Sequence, residues 1–330
     1  MMKANKKKLH DLLVMAGVVA LFAVVAGLLY SGSLSRQVTN MLIPTSVYIV
    51  LAVSLNLVVG LLGELSLGHA GFMSVGLFSG CLVSIALSQT AMPLAVRMVL
   101  AMLAGGLVAA VFGLLVGLPT LRLKGDYLAI VTLACGEIIK NVITNLDITG
   151  GALGLNTSAV YSGAQVLLPY AAALVLITCV VMLNLKRSKY GRAIMAIRDN
   201  RIAAESVGLN VTFFKLAVFV IAAFFAGAAG VLYGHSLANV KAAAFDYNMS
   251  IELLIIVVLG GMGSVPGSII AAIVLTVLPE ALREFSDYRM VVYALVLILV
   301  MHATSNPAMK RMFTAVREKL SAHKKGGAAA

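Results

Sequence analysis

The sequence predicts an all-α, polytopic integral membrane protein with about ten transmembrane helices, and three observations carry that prediction. Of 330 residues, 61% are hydrophobic and 12% charged, against roughly 25% charged in an ordinary globular domain. Apolar runs recur along the chain at the length needed to cross about 30 Å of hydrocarbon, roughly 18–20 residues of helix. The net charge of +12 is gathered into a few short segments and the chain ends. No basic stripe with interleaved aromatics accompanies that charge, which excludes a nucleic-acid binder and points to anionic headgroups of the lipid bilayer.

Apolar runs and the turn residues between them place spans at 12–31, 41–62, 66–88, 98–119, 127–146, 166–185, 216–234, 249–262, 265–282 and 290–305. Lys3, Lys6, Lys7 and Lys8 precede the first run in the manner of a signal peptide. The run Leu12–Tyr30 is longer than a signal h-region of roughly 7–15 residues and lacks a convincing small-residue cleavage site, so it reads as a retained span. Residues 1–11 then form a basic cytoplasmic segment, 12–305 one transmembrane domain, and 306–330 a basic, partly disordered tail. Cys81, Cys135 and Cys179 each lie in an apolar run without CxxC spacing, so neither a disulfide nor a metal site is expected.

Two stretches, Gly63–Gly68 and Gly260–Gly267, are rich in turn residues and fit either turns between spans or broken, re-entrant helices. Their surroundings, Leu57–Gly76 and Leu253–Ala272, look alike: an apolar helix, a Gly-rich break and another helix. An internal repeat and simple glycine-rich packing both account for the likeness. Gly76-x3-Gly80 and Gly113-x3-Gly117 have the spacing that lets helices approach closely, and core packing is their expected role.

Placing Lys and Arg on the cytoplasmic side sets the orientation. With the N terminus inside, inner segments hold 19 of the 25 basic residues: four at the N terminus, Arg122 and Lys124, seven from Lys186 to Lys215, and six in the tail. Both termini are therefore expected in the cytoplasm, with the chain in the plasma (inner) membrane.

If the chain drove transport by itself it would have to carry an energy source, and none is visible. It has no GxxxxGK[ST] phosphate loop, and no nucleophile elbow, HExxH or close carboxylate pair within a span. No cofactor is expected, and an intramembrane enzyme has no visible constellation. Ionisable residues within the spans are few, which disfavours a stand-alone, ion-coupled carrier without removing it.

The most informative polar segment is Arg192–Gly208. Taken as one helix, it places Ala193, Ala196, Asn200, Ala203, Ala204 and Val207 on one face and Arg198, Arg201 and Glu205 on the other, with Arg201 and Glu205 paired at i, i+4. Gly208 is suited to end it in a left-handed cap. A small-residue face beside a charged one fits docking into a groove on a cytoplasmic partner. A helix lying on lipid would carry larger apolar side chains.

The segment resembles the coupling loop of ATP-binding-cassette importer permeases, whose pattern is E-A-A-x3-G; here Ile202-Ala203-Ala204-x3-Gly208 keeps the alanines and the glycine and replaces the glutamate. The flanking Tyr190-Gly-Arg-Ala-Ile and Ala196-Ile-Arg-Asp-Asn-Arg-Ile-Ala-Ala-Glu are similar to branched-chain amino acid permeases of the LivM type. Three more segments agree in order: Ser54–Gly60 running into Leu65–Phe72; Gly125–Leu133 through Gly136-Glu-Ile138 to Thr149-Gly-Gly151; and Leu259–Gly267. The resemblance spans about residues 40–305. Two departures bear on the cargo: Glu64 replaces the family's common glutamine, and the outer loop between Gly151 and Leu167 is short.

What the resemblance implies is a fold like that of the vitamin B12 importer permeases (type II), with the coupling loop at 186–215. It also implies partnership with two ATP-binding-cassette ATPase subunits, a LivH-like sister permease and an extracytoplasmic solute-binding protein. The expected cargo is leucine, isoleucine and valine, with urea, short amides or another small polar solute as the competing cargo. ATPase-coupling residues are expected at Arg192, Ala193, Ala196, Arg198, Arg201, Ala203, Ala204, Glu205 and Gly208.

Candidates for the translocation pathway are Ser66, His69, Thr132, Glu137 and Asn141. His69 sits in the first break, where it fits either contact with a substrate's charged groups or hydrogen bonding to the broken backbone. Glu64 fits a salt-bridged or solvated cap as well as a pathway residue. Glu137 and Lys140, three apart on one face, are expected to pair, as structure or as a gate. Ser66, Thr132 and Asn141 fit polar contacts to a solute or interhelical hydrogen bonds.

Overall fold

The computed structural model describes residues 2–90, 92–120, 123, 125–281 and 298, with side chains described from residue 12 onward. The expected last span, apart from position 298, lies outside the described residues, as do the tail and the basic pair Arg122 and Lys124. The chain divides into two units, Met1–Thr276 and Val277–Ala330. Of the second, the described residues are the end of one helix and position 298.

The helices are α1 (Met2–Tyr30), α2 (Arg36–Asn56), α3 (His69–Ser88), α4 (Leu94–Thr120), α5 (Asp126–Asn145), α6 (Ala164–Arg187), α7 (Lys189–Asp199), α8 (Arg201–Ser206), α9 (Val211–His235), α10 (Tyr247–Gly260) and α11 (Val265–Ala281). Among the described residues, eight helical segments are long and apolar enough to cross a membrane, and Val265–Glu280 is a shorter apolar helix. They correspond to nine of the ten expected spans. The first helix begins well before the expected residue 12, the second and seventh spans each begin five residues early, the fourth begins at Leu94 rather than 98, and the third begins at His69 rather than 66.

Side-chain size decides how these helices pack. On α4, Ala101, Gly105, Gly106, Ala109, Gly113 and Gly117 form the buried stripe, while Val99, Leu103, Leu107, Val111 and Leu118 face outward. Lipid tails solvate large apolar groups as well as a protein interior does, so the small residues go to the helix contacts, where they allow close backbones. Gly76 of α3 lies against the backbone of Gly227 in α9, Gly105 against the Gly76 carbonyl, and Gly230 against the Met73 carbonyl. A methyl group at any of these positions would overlap backbone. Gly76 thus packs helices as its spacing predicted. The helix α2 is buried without interruption from Ile49 to its end at Asn56, and packs against α6, α9 and α10.

At the end opposite α7 and α8, the short loop before α6 is tied to the loop after α9. Leu155–Asn156 (β1) pairs antiparallel with Asn239–Val240 (β2), and the Thr157 hydroxyl donates to the Leu237 carbonyl at 2.5 Å. Nearby, the buried His235 ring shares a 2.8 Å hydrogen bond with Ser84. Neither strand has an apolar alternation to announce it, so this pairing is a product of tertiary contact.

Candidate functional site: two helix breaks and the segment that grips them

The first break starts where α2 runs into a π-helical turn, Leu57–Leu62, ended by Gly63 in the left-handed region (φ 79°). The chain is then non-helical to Gly68, and α3 begins at His69. The His69 Nε2 atom bonds the Ser54 hydroxyl at 2.9 Å. Ser54 lies eight residues before Leu62, on the order of 10 Å back along the helix, so the chain climbs back beside α2 before α3 starts. The break thus joins two helices that are each long enough to cross a membrane. Its backbone is satisfied by neighbours: Leu67 N–H donates to the Thr132 hydroxyl at 3.0 Å, and Ala70 N–H to the Ser250 hydroxyl at 3.3 Å. Irregular backbone survives at membrane depth only with such partners.

The second break is Gly261–Ser264, between α10 and α11, with Gly261 and Gly263 both at positive φ (89° and 80°). It meets the first break directly. Asn56, the last residue of α2, accepts from Gly263 N–H at 2.7 Å and donates to the Ser264 carbonyl at 3.1 Å and the Ser268 hydroxyl at 2.8 Å. Gly60 packs so closely on the Gly263 amide that a side chain at 60 has no room. The two look-alike segments of the sequence therefore touch at their breaks. A cavity of about 20 Å³ lies here, bounded by Asn56, Leu61, Lys186 and Gly263, room for about one water molecule.

The segment 186–215 attaches to both breaks. Arg198 Nη1 donates to the Gly60 carbonyl at 3.1 Å, and Lys186 Nζ to the Gly263 carbonyl at 2.5 Å. Gly63 lies under the Arg198 stem, where a Cβ would stand 2.5 Å from Cγ. At the start of α9, Lys215 is buried and pairs with Glu64. Lys215, expected in a surface loop with the other basic residues, belongs instead to the helix interior, and Glu64 is its salt-bridge partner.

The segment is two helices, not the single one expected. Asn200 takes an extended conformation (φ −155°, ψ 102°), ends α7, and caps α8 by accepting from Ala203 N–H at 3.1 Å. Asparagine suits this role because its side chain mimics the missing backbone acceptor. The kink dissolves the continuous small face. Ile194 and Ile197 of α7 and Ala204 of α8 turn inward, Ala204 being 3% exposed, so Ala204 is not available to a partner. Exposed instead are Ala196, Ala203, Ile202 (80%) and Val207 (76%). Arg192 is exposed and donates to the Arg187 carbonyl, and Ala193 is half-buried. The pair Arg201–Glu205 forms at 2.9 Å as its spacing predicted. Gly208 has φ 84°, and the 3.1 Å bond from Leu209 N–H to the Ala204 carbonyl closes the expected left-handed cap.

The other residues singled out in the sequence separate here. His69, Ser66 and Thr132 surround the first break; His69 bonds a side chain rather than the backbone, Thr132 ties the break to α5, and the Ser66 hydroxyl is buried with no hydrogen-bond partner among the described residues. Glu137 pairs with Lys140 as expected, and both are partly exposed on α5. Asn141 is exposed on the same helix, in an open groove with Ile138, Val142 and Asn145. Sequence reasoning missed Asn56 and Lys186 as contacts to the second break, and Glu252, a half-buried carboxylate of α10 that accepts from the Tyr48 hydroxyl at 3.3 Å. An acid inside an apolar run was the available signal for Glu252. Nothing local marks Asn56, whose partners lie over two hundred positions away.

A bundle of membrane-length helices, two of them broken in mutual contact, with a polar surface segment fastened to both breaks, defines a polytopic membrane permease. The family described as the permease component of branched-chain amino acid transport systems matches residues 37–301. The high-affinity branched-chain amino acid transport system permease protein LivM of Salmonella typhimurium is 36% identical over 301 residues, covering 81% of this chain and 68% of that protein. LivM of Escherichia coli gives the same identity and coverage, and LivH of Escherichia coli is 24% identical over 285 residues, covering 81% of this chain and 92% of LivH. The chain belongs to the branched-chain amino acid transport permease family.

Proposed function

We propose that this chain is the LivM-type permease subunit of an ATP-binding-cassette importer that moves leucine, isoleucine and valine into the cytoplasm. It works with a LivH-like sister permease, two ATPase subunits and an extracytoplasmic solute-binding protein. The observation that carries the reading is the attachment of Lys186, at the end of α6, and Arg198, at the end of α7, to the carbonyls of Gly263 and Gly60. A push on α7 and α8 from a cytoplasmic ATPase reaches both helix breaks through these bonds. Broken helices are where a membrane protein can change shape without exposing a long run of unsatisfied backbone.

The exposed Ile202, Ala203 and Val207 supply the docking surface, with the Arg201–Glu205 pair on its rim. The bias of Lys and Arg toward the N-terminal segment, residues 186–215 and the tail supports a cytoplasmic location for both termini. The outer face of α5 presents Asn141, Asn145 and the Glu137–Lys140 pair beside Ile138 and Val142. Lipid solvates such polar groups poorly, which favours a pathway between this face and the sister permease. ATP hydrolysis belongs to the partner subunits, and ligand selection mainly to the binding protein.

Reconstitution of the four kinds of subunit into proteoliposomes tests the reading. Labelled leucine is expected to enter only with both ATP and binding protein. Uptake by this chain alone, driven by an ion gradient, would replace the importer with a secondary carrier. Preferential uptake of urea or short amides by the full assembly would change the cargo.

A further inference from the structure

Glu252 is the sixth residue of α10, eight residues from its end at Gly260, about 12 Å along the helix. It therefore sits near the middle of the span Ala242–Gly260. Among the described residues no Lys or Arg pairs with it, whereas Glu137 has Lys140 and Glu64 has Lys215. Its one hydrogen-bond partner found is the Tyr48 hydroxyl, and one turn away on the same face of α2 Thr45 accepts from the Thr276 hydroxyl at 3.3 Å. On α10, Leu253, Ile256 and Val257 are buried, while Ile251 and Val258 are exposed; Glu252 stands at the border between the two faces.

A carboxylate at this depth is costly unless a cation or water-filled space compensates it. A glutamine would satisfy Tyr48 equally well, so the hydrogen bond does not explain the acid. What an acid adds is attraction for a positive charge, and no described Lys or Arg supplies one. On the reading given under Proposed function, on which this inference rests, every cargo molecule carries one cationic group, the α-ammonium, common to leucine, isoleucine and valine.

We propose that Glu252, held by Tyr48, is the pathway residue that receives the ammonium group of the amino acid in transit. Its single charge-assisted contact identifies the cargo as an amine while leaving the aliphatic side chain to apolar lining. One such contact is weak enough to be released to the cytoplasm.

The experiment uses the complete assembly in proteoliposomes with binding protein. In Glu252→Gln, ATP-driven leucine uptake is expected to fall at least about tenfold, the loss of one charge-assisted hydrogen bond, while hydrolysis stimulated by loaded binding protein is retained. Glu252→Asp is expected to keep more uptake than Glu252→Gln. In Glu252→Cys, a cationic methanethiosulfonate is expected to label the thiol during turnover, and leucine-loaded binding protein to slow that labelling. Wild-type uptake by Glu252→Gln overturns the proposal, as does loss of uptake together with a Glu252→Cys thiol that no state exposes, which assigns the acid to structure. If the wild-type assembly itself imports no leucine, the importer reading fails, and Glu252 labelling without leucine protection then counts against the ammonium contact too.

Discussion

Arg198 of α7 donates from Nη1 to the Gly60 carbonyl at 3.1 Å, joining a surface helix to the π-helical end of a buried one. Gly60 in turn touches Gly263, so one guanidinium reaches the point where both helix breaks meet. Hydrogen bonds from charged donors contribute roughly 1.5–3 kcal/mol. Arg198→Ala is therefore expected to leave membrane insertion and ATPase association intact and to uncouple hydrolysis from uptake, cutting leucine moved per ATP at least about tenfold. Combined with Asn56→Ala, the losses should be non-additive, because both act on one junction. Additive effects in that double-mutant cycle would show that the two contacts do not share a path.

Glu64 and Lys215 form the buried ion pair beneath the coupling segment. Removing one partner leaves an uncompensated buried charge, at a cost of about 3–5 kcal/mol. Glu64→Leu and Lys215→Met are each expected to lower the unfolding midpoint in nanodiscs by several degrees. The double variant should recover most of the loss, since an apolar pair of similar size removes both charges. A double variant no better than the worse single would mean that the pair has further partners.

The exposed and buried sides of α8 separate docking from folding. Ile202→Asp and Val207→Asp are expected to leave the unfolding midpoint of the isolated permease unchanged and to abolish co-purification with the ATPase. Ala204→Leu should do the opposite at first: the residue is buried, and overpacking costs about 1–3 kcal/mol. Retained co-purification in the Ile202→Asp, Val207→Asp double variant would place the docking surface elsewhere.

Gly76 and Gly227 let α3 and α9 approach at backbone distance. Gly76→Ala and Gly227→Ala should destabilise by more than a surface substitution, roughly 1–3 kcal/mol each. Gly27→Ala on α1, where a methyl meets nothing within 4 Å, should be neutral or slightly stabilising. Thermal unfolding of the three variants compares them directly.

The sequence by itself determined the class, the positions of nine spans, the Arg201–Glu205 and Glu137–Lys140 pairs and the left-handed cap at Gly208. Each is a local matter of run length, i, i+3 or i, i+4 spacing, or a single backbone requirement. It also marked Gly63–Gly68 and Gly260–Gly267 as irregular, without saying whether they turn or re-enter. The tertiary structure decided that the first climbs back beside α2, that the two breaks meet through Asn56, and that Arg198 and Lys186 hold them. Asn200 is legible as a cap only once the helix is seen to break there, because Arg192–Gly208 keeps a helical pattern throughout. Which alanines are exposed, and that Lys215 is buried rather than basic surface, depend on neighbours far away in the chain. Helix periodicity ranks the faces of an element, and only the packed bundle fixes which face is covered.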